Sequence, residues 1–120
     1  MTSILAVDDS PSMRALVKAT LTEAGYEVVS ASDGVEALEI ARTRSVGLVL
    51  ADVNMPRMDG VTLVKELRGL GAYRFTPILM LTTEVNAERK QQAKAAGATG
   101  WLVKPFDPPQ LLATIRKVLS

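Results

Sequence analysis

Asp8-Asp9, Asp52, Thr82-Thr83 and Lys104 share one feature of position: each comes directly after a short apolar run, at residues 4–7, 47–51, 78–81 and 101–103. The chain has no cysteine and no histidine. That excludes disulfides, thiolate metal sites, a Cys nucleophile, the usual zinc sites, Ser-His triads and phosphohistidine chemistry on this chain. Taken singly, these residues have ordinary structural explanations. Asp8, Asp9 or Thr82 could cap a helix, Asp52 could form a turn, and Lys104 could be a solvated lysine before a proline. Taken together they do not. Three carboxylates crowded at strand ends repel one another, and stability alone gives no reason to gather them. A divalent cation resolves the repulsion. With only oxygen donors, and few of them, the candidate is Mg²⁺ retaining several waters. A carboxylate-held metal beside a lysine and a threonine hydroxyl suits the handling of a phosphoryl group. A carboxylate can itself be the nucleophile, forming an aspartyl-phosphate. The residues therefore read as Mg²⁺-dependent phosphoryl chemistry with one Asp as nucleophile.

The elements that must position these groups alternate along the chain. Residues 4–7, 27–30, 47–51, 78–81 and 101–103 read as strands, and a helix-like segment follows each. Ser10-Pro11 opens the first helix as cap and first position, with Met13, Leu16, Val17, Leu21 and Ala24 at helical spacing and Gly25 as its stop. Asp33-Gly34 opens the second, with Val35, Leu38 and Ala41 on one side. Asp59-Gly60 opens the third, with Leu63, Val64 and Leu67 inward and Gly69 ending it, and a nine-residue loop over 69–77 leads to the fourth strand. Asn86 caps a polar fourth helix stopped by Gly97. Asp107-Pro108-Pro109-Gln110 starts the last, whose stripe is Leu111, Leu112, Ile115, Val118 and Leu119. The apolar strand at 47–51 does not alternate with polar residues, so both its faces are covered, as in a parallel sheet between helix layers. The expectation is an α/β fold, a doubly wound five-stranded parallel sheet with right-handed crossovers. In such a sheet ligands bind at the carboxyl ends of the strands, where the residues above fall.

The chain has 120 residues, one domain's worth, with 48% hydrophobic and 22% charged side chains, ordinary soluble usage. The apolar runs are too short to span a bilayer. The first of them ends at once in Asp8-Asp9, so no secretory signal is expected and the protein is expected to be cytoplasmic. A net charge of +1 gives no case for nucleic acid. The distribution is uneven: residues 1–85 carry 8 basic and 11 acidic side chains, and residues 86–120 carry 6 and 2. The later segment could present a basic face to an acidic partner.

Three motifs in order carry a resemblance: Val7-Asp8-Asp9-Ser10, then Asp52-Val53-Asn54-Met55-Pro56-Arg57-Met58-Asp59-Gly60, then Gly97-Ala98-Thr99-Gly100-Trp101-Leu102-Val103-Lys104-Pro105-Phe106. The chain resembles the receiver domains of two-component response regulators, the stand-alone chemotaxis receivers most of all, essentially over residues 1–120. The resemblance implies one receiver domain with a flavodoxin-like strand order of 2-1-3-4-5. It implies Asp52 as phosphoacceptor, and Asp9, Asp52 and the Asn54 carbonyl as Mg²⁺ ligands with Asp8 acting mainly through metal-bound water. Lys104 would pair with the phosphoryl oxygens. Thr82 would move toward the phosphoryl group, and Trp101 is the switch aromatic. Lys104-Pro105 would be cis. Asn54 and Glu84 occupy the positions that tune the lifetime of the phosphoryl group. Two residues depart from the family's usual choices: Trp101 where Tyr or Phe is commoner, and Thr83, bulkier than the usual Ala, Ser or Gly and so a restriction on access.

The resemblance further implies a monomer that catalyses its own phosphorylation and dephosphorylation without being a turnover enzyme. Its partners would be a histidine kinase and a downstream protein such as a flagellar motor switch protein, with a phosphatase as a further candidate. The chain stops at Ser120, so the output is expected to be a protein surface over residues 86–119, with Arg89, Lys90 and Lys94 on its polar helix. Alternatives of other kinds are a phosphate sink with no output of its own and the receiver portion of a longer regulator. An Asp-nucleophile phosphatase would want a second Asp two residues after the nucleophile, where this chain has Asn54. An FMN binder would want a hydroxyl- and Gly-rich phosphate loop after the first strand, and Asp8-Asp9 is electrostatically wrong for that.

Overall fold

In every inner strand of the sheet, alternate residues supply two separate cores, which is why the strands read as unbroken apolar runs. Ile4, Ala6, Leu48, Leu50, Leu79 and Leu81 point to one side, and Leu5, Val7, Val49, Ala51, Ile78 and Met80 to the other. The computed structural model describes residues 2–83 and 87–119. The strands are β1 (Ser3–Val7), β2 (Glu27–Ala31), β3 (Leu48–Asp52), β4 (Ile78–Thr82) and β5 (Gly100–Val103), all parallel and in the order β2-β1-β3-β4-β5. The helices are α1 (Pro11–Glu23), α2 (Gly34–Thr43), α3 (Gly60–Arg68), α4 (Ala87–Ala96) and α5 (Pro108–Leu119). The apolar faces of α1 and α5 cover one side of the sheet through Val17, Leu21, Leu111 and Ile115. The other side receives α2, α3 and Ala93 of α4. This is the flavodoxin-like arrangement.

The caps explain where the helices start. Ser10 Oγ accepts from Met13 N at 3.3 Å, Asp59 Oδ1 from Thr62 N at 2.8 Å, and Asp107 Oδ1 from Gln110 N at 2.7 Å. Gly25 and Gly97, at φ +99° and +113°, close α1 and α4 with the paired carbonyl contacts of a left-handed helix end. Gly69 ends α3 in a right-handed conformation instead, φ −75°. The Asn86 cap lies outside the described residues.

Two expectations need correction. Leu16 lies at helical spacing but is 45% exposed, and Ala24 is also exposed. The buried stripe of α1 is narrower, Val17 and Leu21. The stretch 69–77 is not a bare loop. It contains a 3-10 turn, Gly71–Tyr73, whose Tyr73 is buried and donates to the carbonyls of Ala41 (2.8 Å) and Arg44. Arg68 secures the same stretch, donating to Tyr73 O (2.7 Å), Thr76 O (2.7 Å) and Gly97 O (2.8 Å).

A second clasp lies near the sheet's carboxyl edge. Asp33 caps α2 through Glu36 N (2.9 Å) and also receives Arg57 Nε (2.9 Å) and Nη2 (2.8 Å). Arg57 sits at φ +64°. The Glu36 N–H is the main influence holding the Asp33 carboxyl below its usual 3.8, against the opposing effect of burial and with help from Arg57. The folded carboxyl therefore loses its proton more readily than the unfolded one. Its contribution is full above pH 3.8 and is lost as pH falls through the lower folded value. Asp33→Asn keeps a cap but no charge. Its stability deficit against wild type should shrink as chemical denaturation is repeated at falling pH below 3.8. Asp33→Ala should cost about 1 kcal/mol or more at pH 7, the usual value of a lost cap. A deficit for Asp33→Asn that is independent of pH would refute the charge assignment.

Candidate functional site

Strand order decides where a crevice opens. The chain leaves β1 toward β2 on one side and reaches β3 on the other, so the carboxyl ends of β1 and β3 flank the switch point. Asp52 is the last residue of β3, and Asp8 directly follows β1. Asp8, Asp9 and Asp52 each place a carboxylate oxygen within 4.8 Å of the others. Asp8 and Asp52 are buried and Asp9 is exposed.

Lys104, from the turn after β5, bridges the two buried carboxylates. Its Nζ lies 2.8 Å from Asp8 Oδ2 and 3.2 Å from Asp52 Oδ2. The second Asp8 oxygen accepts from Ser10 N at 2.9 Å, and Arg14 donates to the Asp8 carbonyl at 2.6 Å. Asp8 is thus held on both oxygens. Burial pushes the Asp52 carboxyl above the usual carboxylate range. Lys104 opposes that shift, Asp8 adds to it, and the Asn54 N–H opposes it again. Burial works against the Lys104 ammonium, but its pairing with Asp8 and Asp52 outweighs burial and holds it above its usual value.

Thr82 ends β4, nearly fully buried, and its carbonyl accepts from Lys104 N at 2.7 Å. Thr83 is exposed beside it, and Asn54 is exposed on the β3–α3 loop. Glu84 lies outside the described residues. The Lys104-Pro105 peptide is cis. Trp101 is half-buried in β5, in register with Met80, and packs on the core beneath α2 and α3. Strand alternation puts Thr82 on the same face as Met80. Among the described residues, the buried Nε1 of Trp101 has no hydrogen-bond partner. Lys90 Nζ stands 5.9 Å from the Trp101 ring centroid. A groove of about 400 Å³ runs between α4 and β5, with Lys90, Lys94, Thr99 and Trp101 among its walls.

Sequence alone did not reveal three contacts: Arg14 on the Asp8 carbonyl, Arg57 on Asp33, and Arg89, expected only on the polar docking helix, whose Nη2 donates to Asn54 Oδ1 at 3.1 Å. Each is a long side chain reaching a different segment, a contact with no local periodicity to reveal it.

A doubly wound sheet with three carboxylates and a lysine at its switch point is the arrangement of a receiver. Residues 4–116 match the response regulator receiver domain, and the chain belongs to that family, a component of two-component systems and not a turnover-enzyme family. It resembles chemotaxis response regulators of the CheY type. A CheY homolog of Campylobacter jejuni (strain 81-176) is 40% identical over 119 residues, 98% of this chain and 92% of that protein. The solved structure of Vibrio cholerae CheY4 is 55% identical with a TM-score of 0.97, covering 99% of both chains. The receiver domain of the sensor histidine kinase PA1611 from Pseudomonas aeruginosa, solved with a magnesium ion coordinated in its active site cleft, is 28% identical with a TM-score of 0.92, over 98% of this chain and 97% of that one. Among the described residues no helix is long and apolar enough to cross a membrane.

Proposed function

We propose that the chain is a cytoplasmic, monomeric, one-domain response regulator of the chemotaxis type, in which Asp52 takes a phosphoryl group from a histidine kinase and a protein-docking surface over residues 86–119 responds. The observation that carries this reading is the Lys104 ammonium bridging Asp8 and Asp52 inside a cluster of three carboxylates.

The donor set fits Mg²⁺. One ammonium contacts a cluster of three carboxylates, all donors are oxygen, and Asp52 is already pushed toward its neutral form by burial and by Asp8. Asp8, Asp9, Asp52 and the Asn54 carbonyl would hold the ion, which supplies positive charge for the phosphoryl oxygens. The chain's own groups do the rest. An Asp52 oxygen bonds to phosphorus as the bond from phosphorus to the kinase imidazole nitrogen breaks, leaving an acyl phosphate. Ser10 N and Lys104 keep Asp8 oriented. Lys104 turns from the carboxylates to the phosphoryl oxygens, and the Thr82 hydroxyl donates to another. Asn54 and Thr83, both exposed at the mouth, set how readily water enters, with Glu84 in the same role.

The groove beside Trp101 favours an output protein over a phosphate sink. Its Lys90 and Lys94 suit an acidic segment of a downstream partner such as a flagellar motor switch protein. A phosphatase could use the same mouth.

Trp101 is the only tryptophan, so its emission tests the switch. Beryllofluoride with Mg²⁺ should change that emission, and Mg²⁺ alone should change it less. Thr82→Ala should leave Asp52 modifiable while Trp101 stays silent. Identical wild-type emission and solvent quenching with and without the mimic would mean that Trp101 is a static packing residue.

A further inference from the structure

Arg89 links helix α4 to the proposed phosphoryl site. Arg89 Nη2 donates to Asn54 Oδ1 at 3.1 Å, and the backbone N–H of the same Asn54 favours the charged form of the Asp52 carboxylate. Asn54 therefore influences the proposed nucleophile through its main chain and meets α4 through its side chain. One residue further along α4, Lys90 Nζ faces the Trp101 ring at 5.9 Å. Two adjacent cations of one helix thus address the site and the switch aromatic separately. The helix is thinly anchored, since among its described residues only Ala93 is fully buried. An element with so few apolar contacts is displaced more easily than α2 or α3.

We propose that Arg89 is a direct partner of the phosphoryl group, exchanging the Asn54 amide oxygen for a phosphoryl oxygen and so carrying the new charge to α4. The proposal rests on the reading of Asp52 as phosphoacceptor. A neutral amide is a weak acceptor for a guanidinium. A phosphoryl group brings a charge of about −1.5 to −2 and three strong acceptor oxygens, and a guanidinium meets two of them at once. The exchange shifts the first turns of α4 toward β3 and moves Lys90 relative to Trp101. Arg89 takes no part in bond making. It stabilises the phosphorylated arrangement and couples it to the docking helix.

The test titrates beryllofluoride into Mg²⁺-loaded protein, read by calorimetry and by Trp101 emission, with Mg²⁺ alone as a separate titration. Arg89→Ala should bind the mimic about tenfold more weakly, the scale of one charge-assisted hydrogen bond, with Mg²⁺ affinity unchanged within twofold. Arg89→Lys should recover only part of the loss, because a point charge cannot span two oxygens. Arg89→Ala binding the mimic as wild type does would reduce the contact to a surface hydrogen bond and overturn the proposal. Equal weakening of Mg²⁺ and mimic would also overturn it, placing the effect in the Asn54 loop. Failure of the phosphoacceptor reading looks different: wild type would not bind the mimic at all, or Asp52→Asn would bind it equally.

Discussion

Asp52→Asn is expected to abolish phosphoryl incorporation. With Mg²⁺ and a small acyl phosphate or a phosphohistidine donor, the wild-type chain is expected to acquire one acid-stable, base-labile phosphoryl group. The variant is expected to fall by at least about 10³-fold in rate, on the scale by which loss of a reacting nucleophile registers. An amide has the shape of the carboxylate but not its nucleophilicity. The variant also controls for folding. Burial and the neighbouring Asp8 hold the Asp52 carboxyl above its usual 3.8, so the folded state binds that proton more readily than the unfolded chain. This ionisation therefore costs stability, increasingly as pH rises from 3.8 through the higher folded value. Asp52→Asn removes it, so without Mg²⁺ at pH 7 the variant should melt at or above wild type. Lys104→Ala should slow incorporation and leave Mg²⁺ binding largely in place. Label found on any Ser or Thr, or full incorporation into Asp52→Asn, would end the aspartyl-phosphate reading.

Gly60→Ala is the stability change with the largest expected effect, about 3 kcal/mol. Gly60 is the first residue of α3, and its N–H donates to Val53 O at 2.8 Å. A Cβ there would stand 2.3 Å from the Asp52 carbonyl oxygen, 2.7 Å from Met80 Cε and 3.0 Å from Val53 Cα. Met80 can rotate away, but the backbone of the strand end that carries Asp52 cannot. The helix must therefore retreat from the site or the strand end must bend. Urea denaturation should show a large drop in midpoint with an unchanged slope, and the folded fraction should incorporate phosphoryl groups more slowly than wild type. Gly71→Ala is the matched control. A Cβ at Gly71 meets nothing within 4 Å, so that variant should stay within about 0.5 kcal/mol of wild type. Equal midpoints for the two variants would show that the crowding at Gly60 relaxes freely.

Positions along the chain were enough to place Asp8, Asp52, Thr82 and Lys104 at strand ends, because a strand buried on both faces ends where its apolar run ends. The caps at Ser10, Asp33, Asp59 and Asp107 were legible for a similar reason: each bond runs to a backbone N–H only three residues away. The strand order came from family resemblance, since periodicity does not say which strands are neighbours. Other features are decided only by tertiary structure. Leu16 has the spacing of a buried residue, but α1 is seated on the sheet through Val17 and Leu21, which turns Leu16 outward. The stretch 69–77 reads as loop because what organises it, Arg68 and the Tyr73 hydroxyl, bonds to carbonyls of other segments. The same holds for Lys104 on Asp8, 96 residues away, for Arg57 on Asp33 and for Arg89 on Asn54. Local sequence specifies short-range geometry through backbone hydrogen bonds and burial period. The meeting of long charged side chains depends on how whole elements are stacked, and that is settled by packing summed over the entire core.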